Sequence, residues 1–155
     1  MAGLFSGIEK ASYSEGGVYL LPGNYILEVM ELKSGTSRQK VDFFVAECRV
    51  LQSTNSDRRP GTIVSYWVGL KVDTPALSDV RRFIAVCGEC EDTDVDATAA
   101  EMAVSDEQPF KGRVLRAAAT NIITAKAKRD FTKVVWSNYE GSEADVIALK
   151  KAAGL

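Results

Sequence analysis

Residues 64–71 read VSYWVGLK, a run in which apolar side chains alternate with other types. Successive side chains of a β-strand point to opposite faces of the sheet. One face of this predicted strand is apolar throughout: Val64, Tyr66, Val68 and Leu70. Trp67 falls on the other face beside Gly69, which has no side chain. The alternation therefore predicts that Tyr66 enters a core and that Trp67 lies outside it; the alternative is a buried tryptophan that closes one end of a small barrel.

Two earlier segments resemble this one and are separated by turn-rich connections. Residues 24–33 (NYILEVMELK) are dense in β-branched and large apolar residues, which favours a strand. Residues 41–53 (VDFFVAECRVLQS) alternate again, and their apolar face comprises Phe44, Ala46, Cys48 and Val50. The opposite face mixes an aromatic ring with charges: Phe43, Val45, Glu47 and Arg49. With residues 62–71, these runs predict an antiparallel meander of three strands.

The period changes at residues 75–88 (PALSDVRRFIAVCG), which predict an amphipathic helix. Its apolar positions recur at helical spacing: Leu77, Val80, Phe83, Ile84 and Cys87. Residues 95–104 suggest a short second helix, residues 113–126 and 131–139 predict two more strands, and residues 143–155 predict a terminal helix.

Three strands, a helix and two strands follow one another in the order of the OB-fold. We therefore expect a mainly β protein, with a five-stranded OB-fold barrel over residues 18–142. Residues 1–17 predict a loose N-terminal arm, and residues 143–155 predict a helical tail. An SH3-like barrel and a small sandwich are the alternatives, although neither usually carries a helix at this position.

The composition narrows the functional class. The chain has no run of about 18 apolar residues, which argues against a membrane span, and its first residues do not resemble a secretion signal. Three cysteines indicate reduced thiols in a cytosol-like compartment. The absence of histidine removes the commonest general base and the commonest metal ligand. We expect a protein without enzymatic activity.

Two patterns suggest a metal only weakly. Cys87 and Cys90 form a CxxC pair, but a closed zinc site needs four ligands. Cys87 also falls at a predicted helix C-terminus, where the helix dipole disfavours a thiolate. The carboxylates of residues 91–96 (EDTDVD) lack the glycine and glutamate of a calcium loop. We therefore expect neither a metal nor a cofactor.

Charge is unevenly distributed along the chain. Residues 89–107 hold eight of the 21 acidic residues and none of the 19 basic ones, so the remainder of the chain has a net charge of +6. The overall value of −2 hides this asymmetry between a basic body and an acidic insert.

The basic residues cluster where an OB-fold binds oligonucleotides. That site is the face of strands 2 and 3, flanked by the loops that join strands 1 to 2 and strands 4 to 5. The first of these loops carries Arg38 and Lys40, and the second carries Lys126, Lys128 and Arg129. Basic loops attract phosphates, although exposed loops are often charged in any case.

The strands add further candidate residues for nucleic-acid binding. Phe43, Arg49, Trp67 and Lys71 are predicted to share one surface, on which the two rings would stack bases. Lys133 and Tyr139 share the outer parity of the last strand, while Val134 and Trp136 are predicted to enter the core. Arg113 and Arg116 of the fourth strand are candidates for the same groove; Arg116 shares the parity of Val114, so its alternative is a surface cap on a short strand end.

Four segments resemble a known family: LPGNYILEVMELKSG (21–35), VDFFVAECRVLQS (41–53), RPGTIVSYWVGLK (59–71) and LSDVRRFIAVCG (77–88). Over roughly residues 22–88 the chain is similar to bacteriophage single-stranded-DNA-binding proteins with an OB-fold. The resemblance implies a protein that coats exposed single strands without sequence preference during replication or recombination. It also implies the cytoplasm of a host cell and help from partner proteins.

The C-terminus departs from the pattern of such proteins. Many of them end in a flexible acidic tail that docks partners, whereas residues 143–155 are amphipathic and close to neutral. One hypothesis is that the acidic insert, residues 89–107, docks replication proteins instead. A homo-oligomer is compatible with the sequence. The alternative function is a protein–protein interaction or phage assembly module with the same fold and no nucleic-acid ligand.

Overall fold

The computed structural model describes residues 18–70, 76–123 and 130–155. In these ranges the chain forms the strands β1 (Val18–Tyr19), β2 (Gly23–Thr36), β3 (Asp42–Ser53), β4 (Ile63–Gly69), β5 (Val114–Ile123) and β6 (Asp130–Asn138). The α-helices are α1 (Ala76–Cys87), α2 (Ala97–Ala103) and α3 (Glu143–Ala152), and a 3-10 helix (Asp92–Asp94) lies between α1 and α2. The predicted N-terminal arm, residues 1–17, lies outside the described residues.

The six strands belong to one sheet in the order β1-β4-β3-β2-β5-β6. β1 runs parallel to β4, and the other neighbouring pairs are antiparallel. The central strand is β2, which pairs with β3 along almost its whole length and with β5 over Gly23–Glu28. The predicted mainly β class and the antiparallel meander of β2, β3 and β4 are confirmed.

The sheet differs from the expected five-stranded closed barrel in two respects. It has a sixth strand, β1, whose two residues are too short to show any periodicity in the sequence. In addition, no ladder of backbone hydrogen bonds joins β4 to β6 within the described ranges, so the sheet is open, and the parallel pairing of β1 with β4 makes it mixed.

Irregularities in the β2–β3 pairing bend the sheet. The register shifts between Ile26 and Leu27 and again between Val29 and Glu31. Such bulges bend a strand and increase its right-handed twist. A long central strand bent in this way curves the sheet around the apolar side chains of one face.

Aromatic side chains hold the curved sheet across its open side. Four strand spacings separate β4 from β6 in the sheet order, which would be about 19 Å in a flat sheet. The rings of Tyr66 on β4 and Trp136 on β6 are nevertheless only 5.1 Å apart between centroids. Phe83 of α1 contacts both, with its ring centroid 4.6 Å from that of Trp136 and 5.9 Å from that of Tyr66. Helix α1 therefore covers the opening between the two strands.

The alternation in the sequence predicts the core side chains well. The predicted core faces of β3 and β4 are buried or packed against the core: Phe44, Ala46, Cys48, Val50, Val64, Tyr66, Val68 and Leu70. Trp136 is buried and Val134 is partly buried against the core, also as predicted. Burial raises the pKa of Tyr66 to about 12, and the nearby negative charge of Asp79 contributes.

The predicted core position of Leu77 in α1 is wrong. Leu77 is 63% exposed, because the buried stripe of the helix starts at Ala76 and continues through Val80, Phe83 and Cys87. These positions are spaced by four, three and four residues and so lie on one side of the helix. Leu77 directly follows Ala76, which places it about 100° around the helix from the start of this stripe.

We expect Phe83→Ala to destabilise the protein by about 3–5 kcal/mol. Phe83 is fully buried where α1 contacts β4 and β6, so its removal leaves a cavity there. Chemical denaturation followed by circular dichroism measures the change. Leu77→Ala on the same helix is the matched control, with an expected change within about 0.5 kcal/mol; equal effects of the two substitutions would contradict this account of the core.

Candidate nucleic-acid interface

An aromatic pair lies on the outer face of the sheet, away from the core. Phe43 of β3 is paired with Gly69, two residues along β4 from Trp67, so the two aromatic residues are diagonal neighbours. Their ring centroids are 5.9 Å apart with an angle of 26° between the planes, and Trp67 is 42% exposed. The predicted outward position of Trp67 is confirmed, and the pair offers stacked aromatic surface to solvent.

Two glycines make room for these rings. A Cβ atom added at Gly69 would lie 3.1 Å from Cη2 of Trp67, and one added at Gly35 would lie 3.1 Å from Cζ of Phe43. Each ring therefore leans over a residue without a side chain. We call Gly35, Phe43, Trp67 and Gly69 the aromatic platform. The sequence does not reveal the role of Gly35, because its position opposite Phe43 depends on the strand register.

A basic turn adjoins the aromatic platform. Residues 37–41 connect β2 to β3 through hydrogen bonds from the Ser37 amide to the Val41 carbonyl and from the Lys40 amide to the Ser37 carbonyl. Lys40 adopts a left-handed conformation (φ 60°), which closes the turn tightly. The exposed Arg38 and Lys40 therefore lie at the same end of the sheet as Phe43 and Trp67, as the sequence predicts.

The outer face also carries acidic residues beyond the aromatic platform. Glu31 and Glu47 are cross-strand partners, and Glu47 is also paired with Ser65 on β4. Glu31 forms an ion pair of 2.8 Å with Lys33, and the Ser65 hydroxyl donates a hydrogen bond of 3.3 Å to Glu47. Phosphates would be repelled from the middle of this face and attracted to the basic turn.

Arg49 lies on the outer face but is engaged inside the protein. Its Nη2 donates to Oε1 of Glu28 at 2.8 Å, and Nζ of Lys150 from α3 lies 2.7 Å from the other carboxylate oxygen. Glu28 is only 5% exposed. The shared contacts with Glu28 attach α3 to the outer face near Arg49. Arg49 therefore helps to hold α3 in place, whereas the sequence predicts that it extends toward solvent.

The two cations determine the ionisation of Glu28. Burial by itself would raise the pKa of this carboxyl group. Hydrogen bonds and positive charge from Lys150 and Arg49 outweigh burial and hold the pKa below its usual value of 4.5. Glu28 is therefore a buried carboxylate that remains ionised at neutral pH.

The other predicted basic residues fall into separate groups. Arg116 lies over the ring of Tyr139, with 5.2 Å between the guanidinium carbon and the ring centroid, and Lys133 is exposed on the outer face of β6. Arg113 lies 3.9 Å from Glu89, the first residue of the acidic insert (residues 89–107, called the acidic segment below), and away from the aromatic platform. Lys71, Lys126, Lys128 and Arg129 lie outside the described residues.

The strand register bears on the predicted pair of flanking loops. β5 is antiparallel to β2 and continues to Ile123, beyond Ala119, the partner of Gly23. The end of β5 at Ile123 and the start of β6 at Asp130 therefore lie near the start of β2. The basic turn lies at the other end of β2, after Thr36. The described strand ends that border residues 124–129 and the basic turn therefore lie toward opposite ends of β2, and residues 124–129 themselves lie outside the described residues.

The acidic segment is built into the fold. Val95 and Ala103 belong to the core, and the side chain of Gln108, the residue that directly follows residues 89–107, is hydrogen-bonded at 2.8 Å to both the amide and the carbonyl of Leu32 on β2. Gln108 thus satisfies backbone groups on β2 beyond Glu28, the last residue of β2 that pairs with β5. The predicted short helix in this segment is confirmed as α2.

The thiols of the CxxC pair have different environments. Cys87 is the last residue of α1, and burial raises its pKa to about 12; burial also raises the pKa of Cys48. Cys90 is exposed. In the described ranges no three His, Cys, Asp or Glu side chains are grouped so that they could hold a metal ion. The helices of those ranges include none that is long and apolar enough to cross a membrane.

Comparisons with known proteins do not assign the chain to a family. No family model matches it, and a search of curated proteins finds no match. The similarity to phage single-stranded-DNA-binding proteins therefore stays a resemblance in the sequence.

We expect the stability of the protein to fall as the pH drops below about 4.5, in part because Glu28 becomes protonated. A carboxyl group whose pKa is lower in the folded state stabilises that state above its unfolded pKa, and the contribution is lost as pH falls through the folded pKa. Glu28→Gln should reduce this pH dependence and destabilise the protein at pH 7 by about 1–3 kcal/mol.

Denaturant unfolding across the acidic range measures both effects. Glu31→Gln is the matched control, because its ion pair with Lys33 lies on the surface and such pairs contribute at most about 1 kcal/mol. An unchanged pH dependence in Glu28→Gln would contradict the role given to the two cations.

Proposed function

We propose that this protein binds single-stranded DNA without sequence preference, through the aromatic platform and the adjoining basic turn. The observation that carries the proposal is the stacked pair of Phe43 and Trp67 on the outer face of a β-sheet, in which Trp67 is exposed and Phe43 is half-buried. Stacking of a base on an aromatic ring contributes about 1–3 kcal/mol and accepts any base, since every base has a π-face.

The position of the pair favours a single strand over a duplex. Bases in a duplex are stacked on one another, so their π-faces are not accessible to a protein ring unless the helix is opened. The platform lies on the broad outer face formed by β2, β3 and β4, where an unpaired base has room to lie against a ring. Arg38 and Lys40 at the end of this face are placed to contact phosphates, which makes the affinity depend on salt.

We also propose that the sheet is a partly open OB-fold barrel. Three features support this assignment: a curved sheet in which β2 is central, contact between β4 and β6 through Tyr66 and Trp136, and the helix α1 between the third and fourth long strands. OB-folds are partly open barrels of five strands that bind oligonucleotides on the face of their second and third strands. In this chain those strands correspond to β3 and β4, which carry Phe43 and Trp67.

A role in phage replication or recombination belongs to the same proposal, with the acidic segment as the surface for partner proteins. An open hollow of about 680 Å³ at this segment is lined in part by Glu89, Glu91, Asp94 and Glu140, which suits a basic partner segment. Since Val95 and Ala103 belong to the core, deleting the segment would disturb the fold, and charge neutralisation is the better test.

We expect Trp67→Ala to lower the affinity for an oligo-dT strand by about 5- to 150-fold, the range that corresponds to the loss of one stacked base. Fluorescence anisotropy of a labelled oligonucleotide at low and at high salt measures the affinity. Leu77→Ala, an exposed apolar residue on α1, is the control and should bind like the wild type.

Two outcomes would contradict the proposal. One is a wild-type protein that binds neither single strands nor duplexes, which favours a protein–protein interaction or assembly module. The other is a folded Trp67→Ala variant with unchanged affinity, which places any binding site elsewhere on the molecule.

We expect Glu47→Gln to strengthen binding at low salt by up to about fivefold, because it removes a negative charge close to the bound strand. The gain should shrink as salt is added. Glu101→Gln removes the same charge from an exposed position on α2 and serves as the matched control. Equal effects of the two substitutions would show that the strand does not pass near Glu47.

A further inference from the structure

We propose that Tyr19 of β1 is a third base-stacking residue, and that the bound strand runs diagonally across the sheet from Phe43 through Trp67 to Tyr19. The proposal deepens the function proposed above and rests on it. It adds a strand that the sequence does not predict and gives the bound DNA a direction on the outer face.

The register places Tyr19 on the same face as Trp67. In the parallel pairing of β1 with β4, Tyr19 is the partner of Ser65 and Val18 is the partner of Val64. Val64 is buried in the core, and so is Leu20, which directly follows Tyr19 in the chain. Because side chains alternate along a strand, Tyr19 points to the outer face.

The side chain of Tyr19 is open to solvent. It is 69% exposed, the largest fraction among the exposed large apolar and aromatic side chains of the described ranges. Tyr19 therefore places a second exposed aromatic ring on the surface, on the strand next to the one that carries Trp67. A solvent-facing ring of this kind is available to a flat apolar partner such as a base.

The three aromatic residues are evenly offset across the sheet. Phe43 is paired with Gly69, Trp67 lies two residues before Gly69, and Tyr19 is paired with Ser65, two residues before Trp67. Each step moves one strand across and two residues along, which is about 8 Å in β-sheet geometry. The rings thus form a diagonal row in which each one can receive a successive or a nearby base.

The backbone of Tyr19 is held in place while its ring is exposed. Nε of Arg58, from the connection between β3 and β4, donates a hydrogen bond of 2.7 Å to the Tyr19 carbonyl. Leu20 anchors the next residue in the core. Arg58 and the exposed Arg59 also supply positive charge at this end of the row, opposite the basic turn at its other end.

The test compares the affinities of Tyr19 and Trp67 variants for oligo-dT strands of about 4 and about 16 nucleotides, the range of site sizes for one OB-fold. We expect Trp67→Ala to weaken binding of both strands. Tyr19→Ala should weaken binding of the longer strand by about fivefold or more and affect the shorter strand less. Tyr19→Phe should bind like the wild type, because it keeps the ring.

Val18→Ala is the control for the integrity of β1, since its side chain lies on the opposite face of the same strand. A loss in Tyr19→Ala that Val18→Ala does not share supports a stacking role. Wild-type affinity of Tyr19→Ala for both strands, together with weak binding by Trp67→Ala, would overturn the inference and leave the proposed function standing. Absence of binding by the wild-type protein would remove both.

A second measurement uses the unmodified chain and does not depend on the folding of any variant. A single strand that contains 5-bromodeoxyuridine is irradiated in complex with the protein, and the crosslinked peptides are identified by mass spectrometry. Crosslinks at Tyr19 as well as at the aromatic platform are expected. Crosslinks at the platform without any at Tyr19 would overturn the inference.

Discussion

The contact of Tyr66, Phe83 and Trp136 is the constraint on which the rest of the structure depends. Backbone hydrogen bonds do not join β4 to β6 in the described part of the chain, so side chains hold these two strands together. The contact turns one face of the curved sheet inward as a core. It leaves the opposite face of β3 and β4 directed outward, and that face carries the half-buried Phe43 and presents Trp67 to solvent.

The two ends of that outer face differ in what lies on them. At one end, α3 is attached through Lys150 to the buried carboxylate of Glu28, which Arg49 also contacts. Burying a charge is costly unless it is paired, so this cluster favours one docking position of the helix over others. At the other end no described helix covers the aromatic platform. The cluster thereby keeps α3 at the end of the face away from the platform, and the basic turn lies at the platform end.

The sequence predicts those features that depend on strand alternation, and it fails where tertiary pairing decides. The core positions of β3 and β4 and the outward position of Trp67 follow from alternation, whereas Val45, which has the outer parity of β3, is buried although it is not part of the core cluster. In contrast, Arg49 has the parity of a ligand-binding residue, but its neighbour Lys150 is about 100 residues away in the chain, and no spacing rule connects the two. The sequence does not predict the role of Gln108 or the strand β1 for a related reason. Gln108 contacts β2 and β1 pairs with β4, and both partners are distant in sequence. Leu77 is exposed because the buried stripe of α1 starts one residue earlier than the apolar pattern predicts.

The central claim is that Trp67 stacks on the bases of a single strand. The chain has two tryptophans, of which Trp67 is exposed and Trp136 is buried, so intrinsic fluorescence reports on the site directly. The most direct test is to titrate the wild-type protein and Trp67→Phe with oligo-dT and with a duplex of equal length. The expected result is quenching of the wild type by the single strand, much weaker quenching in Trp67→Phe, and little response to the duplex. No quenching of the wild type, or equal quenching of both proteins, would contradict it.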